Sequence, residues 1–155
     1  MERLVETCVS LDEFDGLYGH VKYDVYLRLF KEGHLDLLGS IGITLNNLKK
    51  KYDLGNAVRR VEIEYKEPIL YGDRIQVLTR LSRIGHTSID YSQRIKTRNK
   101  EVATAHMTVV FVSVNSITGR HNPVQIPEDI RHKLKDYLLY EEKYDDFGAP
   151  IESGS

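Results

Sequence analysis

Two side chains of the kind that move protons during catalysis, Asp15 and His20, stand in the run FDGLYGHVKYDVYLRLF at positions 14–30. A positioned carboxylate or imidazole is the usual general acid or base of an enzyme. Both precede a segment that turns apolar and aromatic with helical spacing, so they stand at the mouth of a predicted buried helix. The first amides of a helix lack intrahelical acceptors, and the macrodipole places about half a positive charge there. Such a mouth suits developing negative charge. Asp15-Gly16 is equally a common turn pair, and His20 equally a loop residue. Glu32 and His34 lie one turn deeper on the helix; the plainer reading of Glu32 is a surface pair with Arg28.

The elements that position these groups follow from periodicity. Residues 3–11, RLVETCVSL, are rich in strand formers and predict a first strand. Asp12–Lys22 is a loop containing Gly16 and Gly19. In residues 24–41, Tyr26, Phe30, Gly33, Leu37 and Ile41 fall on one helical face, and Val25, Leu29 and Leu38 widen it over most of the circumference. Asp24 is the expected N-cap. Gly33 within the helix costs about 1 kcal/mol relative to alanine, which predicts another backbone approaching closely there. After the charged stretch NNLKKKYDLGN the period becomes two, around Val61–Tyr65, Ile75–Leu81, Ile89–Ile95 and Val102–Val114. The turns LYGD, RIGHT and TRNK predict four consecutive strands in a meander. NSITGRHNPVQIP ends the sheet, and Glu128–Tyr140 predicts a closing helix. The expected class is α+β, an antiparallel sheet wrapped around one long central helix, with a short C-terminal helix.

Length and composition narrow the functions. A chain of 155 residues suits one domain, here 1–140, followed by an acidic tail at 141–155. Twenty-two basic against 23 acidic residues give a net charge of −1, which argues against nucleic acid as a partner. No apolar run approaches the roughly 18 residues of a membrane span, and MERLVETCVS lacks the pattern of a signal peptide, so a cytoplasmic location is expected. The single cysteine, Cys8, reads as a small packed hydrophobe. His106 alternates with apolar neighbours and reads as a packed or interface histidine. No His, Cys or carboxylate group has zinc-like spacing, so neither a metal nor a cofactor is expected.

The order of elements, with Gly19-His20-Val21, Tyr26 and FKEGH at 30–34, resembles the hotdog-fold thioesterases of the 4-hydroxybenzoyl-CoA thioesterase and YbgC-like branch. Later stretches resemble it too: EPILYGDRIQVLTRLSRIGHTSI at 67–89, and VATAHMTVVFVSVNSITGRHNPVQIPEDIRHKL at 102–134. The resemblance covers roughly residues 3–138. The family's loop aspartate stands three residues before the glycine, a place held here by Gly16; Asp15 stands four before, so the loop carries one extra residue. Lys22-Tyr23 replaces an Asn-Asn pair, and His34 replaces a helix arginine.

The resemblance implies hydrolysis of acyl-CoA thioesters, with Asp15 as the catalytic carboxylate and the Tyr23 N–H as the oxyanion donor. His20 is a lesser candidate base, and Glu32 is the second candidate carboxylate because some hotdog relatives use one on the helix. It also implies CoA contacts at Arg83, His86 and Ser88 in the SRIGHTS turn. Obligate assembly as a homodimer or homotetramer is implied as well, with the site between protomers. An acyl-carrier-protein substrate, docked at Lys49–Lys51, is the alternative, followed by a non-catalytic acyl- or CoA-binding protein.

Overall fold

The apolar run after Asp24 winds into α1 (Val25–Ser40) and is the body around which the sheet closes. The computed structural model describes residues 2–16, 19 and 21–143, so His20 and residues 144–155 of the acidic tail lie outside the described residues. Leu29, Phe30 and Leu37 of α1 are fully buried, each contributing about 1.5–3 kcal/mol by leaving water. Burial extends over more than half of the helix circumference, from Val25 to Leu38, and only Leu27, Lys31, Gly39 and Ser40 of the helix are exposed.

That sheet contains β1 (Arg3–Thr7), β2 (Gly55–Tyr65), β3 (Ile75–Ile84), β4 (Ser88–Thr97), β5 (Lys100–Val114) and the short β6 (His121–Pro123). Its order is β1-β3-β4-β5-β2, with β6 on β5, and every pairing is antiparallel. Alternation decides the faces. Ile75, Val77, Thr79 and Leu81 of β3 and Ile89, Tyr91, Gln93, Ile95 and Thr97 of β4 are buried towards α1. The other face carries charge, including Arg94 paired with Glu2 at 2.5 Å.

Several expectations are corrected. The first strand stops at Thr7, because Ser10 opens a 3₁₀ turn over Leu11–Glu13. Cys8 is exposed rather than packed. Within the chain His106 is also exposed rather than packed, its Nδ1 lying 3.3 Å from Ser92 Oγ on the outer face, where an interface place stays an expectation. Only β3, β4 and β5 form a meander: β2 pairs with β5, not β3. LYGD is a turn, with Gly72 at φ +85° and the Leu70 N–H donating to Asp73 Oδ2, but it redirects a crossover instead of closing a hairpin. Two-residue closure does occur at Arg98-Asn99, both left-handed at φ 52° and 59°.

The charged stretch before β2 is not a plain connection. Thr44 caps α2 (Leu45–Asn47), which continues into a π-helical turn at Leu48–Tyr52. The closing helix α3 (Glu128–Lys143) packs Ile130 and Leu134 into the core and runs three residues past the expected domain limit.

Gly33 marks a close contact between α1 and the sheet. A Cβ there would fall within 2.9 Å of Val77 Cγ1 and Gln93 Nε2, and closer still to Thr79 Oγ1. The approach is by side chains of β3 and β4, not by backbone. Gln93 Nε2 fastens the contact by donating to Phe30 O at 2.7 Å and Thr79 Oγ1 at 3.0 Å.

Candidate active site

The loop that carries Asp15 is pinned at both ends. Lys22 N–H donates to Glu13 O at 3.0 Å, and Phe14 and Val21 form an isolated antiparallel bridge. Between them, the Gly19 N–H donates to Asp15 O at 2.8 Å, with Gly19 at φ +71°. Glycine reaches that left-handed conformation without steric cost. Val21 is buried, and its N–H donates to Ile69 O at 3.1 Å, tying the loop to the crossover after β2.

Asp15 and Tyr23 are thereby brought to one cleft of about 670 Å³ at the N-terminus of α1. Asp15 is half-buried and Tyr23 is 78% exposed. Asp24 occupies the N-cap position in a helical conformation, φ −71° and ψ −21°, and its side chain makes no cap hydrogen bond. The start of α1 is therefore not sealed by its own cap residue.

The opposite wall comes from the end of β2 and the residues after it. Tyr65 Oη donates to Tyr23 O at 3.2 Å, and its ring meets Tyr26 edge-on at 4.9 Å. Burial pushes the Tyr26 hydroxyl pKa up, against a backbone hydrogen bond at Ile69 that pulls it down. The Tyr65 hydroxyl is raised as well, first by burial and then by Tyr23 and Asp24 nearby. Two cations, Lys22 and Lys66, also line the cleft; Lys66 is paired with Glu101 at 2.7 Å, which raises its pKa. Tyr65 and Lys66 carried no local signal in the sequence, because they reach the cleft only through β2–β5 pairing some 40 residues away from Tyr23.

Glu32 is not among the residues lining the cleft. Its carboxylate accepts from Arg28 Nη1 at 2.5 Å on the wetter side of α1. The turn with Arg83, His86 and Ser88 lies at the other end of the sheet. Tyr65 sits opposite Ala103, whereas Thr87 O accepts from Phe111 N–H, a distance of roughly 27 Å along β5 at ~3.4 Å per residue. Within that turn the Gly85 N–H donates to Ser88 O at 2.7 Å, and His86 O accepts from Arg131 Nη2 at 2.9 Å. Arg83 is 75% exposed and 3.9 Å from Asp90. Among the described residues no group of three or more His, Cys, Asp or Glu side chains could hold a metal ion.

A sequence profile of the thioesterase-like superfamily matches residues 9–134. The chain belongs to the thioesterase-like superfamily. Solved structures agree on the hotdog fold of this thioesterase-like chain. A predicted thioesterase from Bacillus stearothermophilus superposes with TM-score 0.71 at 26% identity, covering 89% of this chain and 97% of the other. A thioesterase from Thermus thermophilus, crystallised with coenzyme A and zinc, gives 0.71 at 24% identity over 88% and 93% of the two chains. A DHNA-CoA thioesterase from Staphylococcus aureus gives 0.76 at 16% identity over 89% and 91%. The profile match spans both Asp15 and the start of α1.

Proposed function

We propose that this protein hydrolyses acyl-CoA thioesters to a free acid and CoA in the cleft at the mouth of α1. The observation that carries the reading is that Asp15 and Tyr23 line one cleft, at a helix start left unsealed by its N-cap side chain. Asp15 activates water, or attacks the carbonyl carbon itself, and the carbonyl oxygen takes up the negative charge. The Tyr23 N–H and the positive end of α1 stabilise that oxyanion. The C–S bond then breaks and the CoA thiolate leaves, taking the proton that Asp15 removed from water; where Asp15 attacks directly, water cleaves the acyl–Asp15 anhydride, which frees the acid, regenerates the carboxylate and supplies the thiolate's proton. Support for CoA as the carrier comes from relatives named as CoA thioesterases or crystallised with coenzyme A.

The reading includes a second copy of the chain. β2 is an edge strand of 11 residues, with Val58 and Tyr65 about half exposed. Pairing β2 with its own copy in antiparallel fashion would bury this edge. It would also invert the partner sheet, carrying the partner's SRIGHTS turn to the cleft's end of the joint sheet. Arg83, His86 and Ser88 would then serve CoA bound across the interface rather than within one chain.

Release of free thiol from a panel of acyl-CoA and acyl-carrier-protein substrates tests the proposal. Turnover of CoA esters is the expected result. Turnover confined to carrier-bound acyl groups would favour the alternative substrate, and binding without thiol release would make the protein non-catalytic.

A further inference from the structure

We propose that Arg28 is a positioning residue that clamps the 3₁₀ turn Leu11–Glu13 onto α1 and thereby sets Asp15 against the helix mouth. The inference rests on the reading of Asp15 as the catalytic carboxylate. Arg28 Nε donates to Glu13 Oε2 at 2.7 Å and Nη2 to Glu13 Oε1 at 2.9 Å, a two-pronged contact that fixes orientation as well as distance. The third arm, Nη1, donates to Glu32 Oε1 at 2.5 Å and holds the guanidinium in place. Glu13 also accepts from the Ser10 N–H at 3.1 Å and from Ser10 Oγ at 2.9 Å.

This polar anchor adds to the apolar contacts on either side of the turn, Val9 before it and Phe14 after it, both packed on the core. None of the turn's own residues is buried, and Leu11 is 72% exposed. Phe14 is half-buried, its ring meeting Tyr71 edge-on at 5.4 Å. Asp15 lies two residues beyond Glu13, a span of at most about 7 Å, so displacement of Glu13 passes directly to it. On the other side of the clamp, Arg28 sits in the first turn of α1, next to the fully buried Leu29 and Phe30. One guanidinium thus links the segment that carries the carboxylate to the helix whose amides would face the same carbonyl, beside the backbone bonds that pin the loop. Burial pushes the Glu13 pKa up, but the Arg28 and Ser10 donors outweigh it and keep the carboxyl below its usual range. Glu32, on this view, acts through Arg28 rather than on substrate.

Arg28→Gln, Arg28→Lys and Glu13→Gln test the clamp, with octanoyl-CoA and benzoyl-CoA as substrates and amide hydrogen exchange as a second readout. Arg28→Gln and Glu13→Gln are each expected to lower kcat about 10–100-fold, as misplacement of a reacting group does, with KM changed less than about 3-fold. Exchange should quicken at the Gly19 and Lys22 amides while α1 stays protected. Lysine keeps the charge but not the fork, so Arg28→Lys should recover only part of the rate. The double variant should lose no more than either single one, because both remove the same interaction. Both single variants within about 3-fold of wild-type kcat would overturn the inference. Unchanged protection over 13–22 would overturn it too, and needs no turnover. Glu13→Gln leaves α1 intact and decides the matter should Arg28→Gln fail to fold. Asp15→Asn, run in parallel, separates the two readings. If Asp15→Asn is inactive and the clamp variants are active, only the clamp fails; if Asp15→Asn is active, the catalytic reading falls and the clamp with it.

Discussion

Asp15 and Glu32 are both carboxylates near the first half of α1, and their surroundings differ. Asp15 lines the cleft, whereas Glu32 is paired with Arg28 outside it. Asp15→Asn should therefore lower kcat at least ~100-fold while folding and substrate affinity persist, the usual loss for a positioned acid or base. A near-normal rate in Asp15→Asn together with loss in Glu32→Gln would move the chemistry to the helix carboxylate. His34 supports a separate prediction. It is 3% exposed, its Nδ1 has no hydrogen-bond partner among the described residues, and its ring lies 5.4 Å from that of Tyr91. Burial, and secondarily the charge of Lys31, lowers its pKa from 6.5 to about 4. The unfolded chain thus takes up a proton at higher pH than the folded one. Stability from neutral His34 is complete above pH 6.5 and is lost as pH falls towards about 4. By pH 4.5 the loss amounts to about 2.5 kcal/mol. Urea unfolding at pH 7 and 4.5 should show a fall in wild type that exceeds the fall in His34→Leu by about that amount.

Between α1 and the sheet, two effects compete at Gly33. Helix propensity favours alanine there by about 1 kcal/mol. Against it, the added methyl would press on Val77, Gln93 and Thr79, and Gln93 is held by hydrogen bonds to Phe30 O and Thr79 Oγ1. Thr79 and Val77 are β-branched and fully buried, so neither can swing aside. Overpacking of this kind typically costs 1–3 kcal/mol, which outweighs the propensity gain. Gly33→Ala should lower the unfolding free energy, and Gly33→Leu should prevent folding or assembly. A rise in the urea midpoint of Gly33→Ala at unchanged m-value would show that the sheet does not press on the helix there.

For the molecule as a whole, the exposed β2 edge is the feature without an explanation inside one chain. Eleven residues of unpaired edge invite pairing with another strand, and the face of β2 exposes Val58 at 52% and Tyr65 at 48%. Tyr65 joins this edge to the cleft, so pairing there would border the site. Light scattering at micromolar concentration should give at least twice the 17.9 kDa chain mass. A monomer under those conditions would remove the partner's SRIGHTS turn from the site and leave Lys22 and Lys66 as the cations at the cleft.

What the sequence determined by itself was what periodicity and local chemistry can carry. Helical spacing from Val25 onwards placed α1 within one residue at each end, and alternation around Ile75–Leu81 and Ile89–Ile95 named the buried face of β3 and β4. Arg98-Asn99 closes its hairpin where TRNK predicted a turn. The oddly placed Gly33 announced a close contact before anything showed what made it. Asp15 and the start of α1 were adjacent because they are neighbours in the chain. Non-local matters were decided only by tertiary structure. Whether β2 pairs with β3 or β5 is invisible to a period-two pattern, since either partner buries the same side chains. The far wall of the cleft, Tyr65 and Lys66, arrives through that pairing, and no local spacing encodes it. The same holds for the distance between the cleft and the SRIGHTS turn, and for Glu13, an ordinary loop glutamate until folding brings Arg28 within 2.7 Å of it.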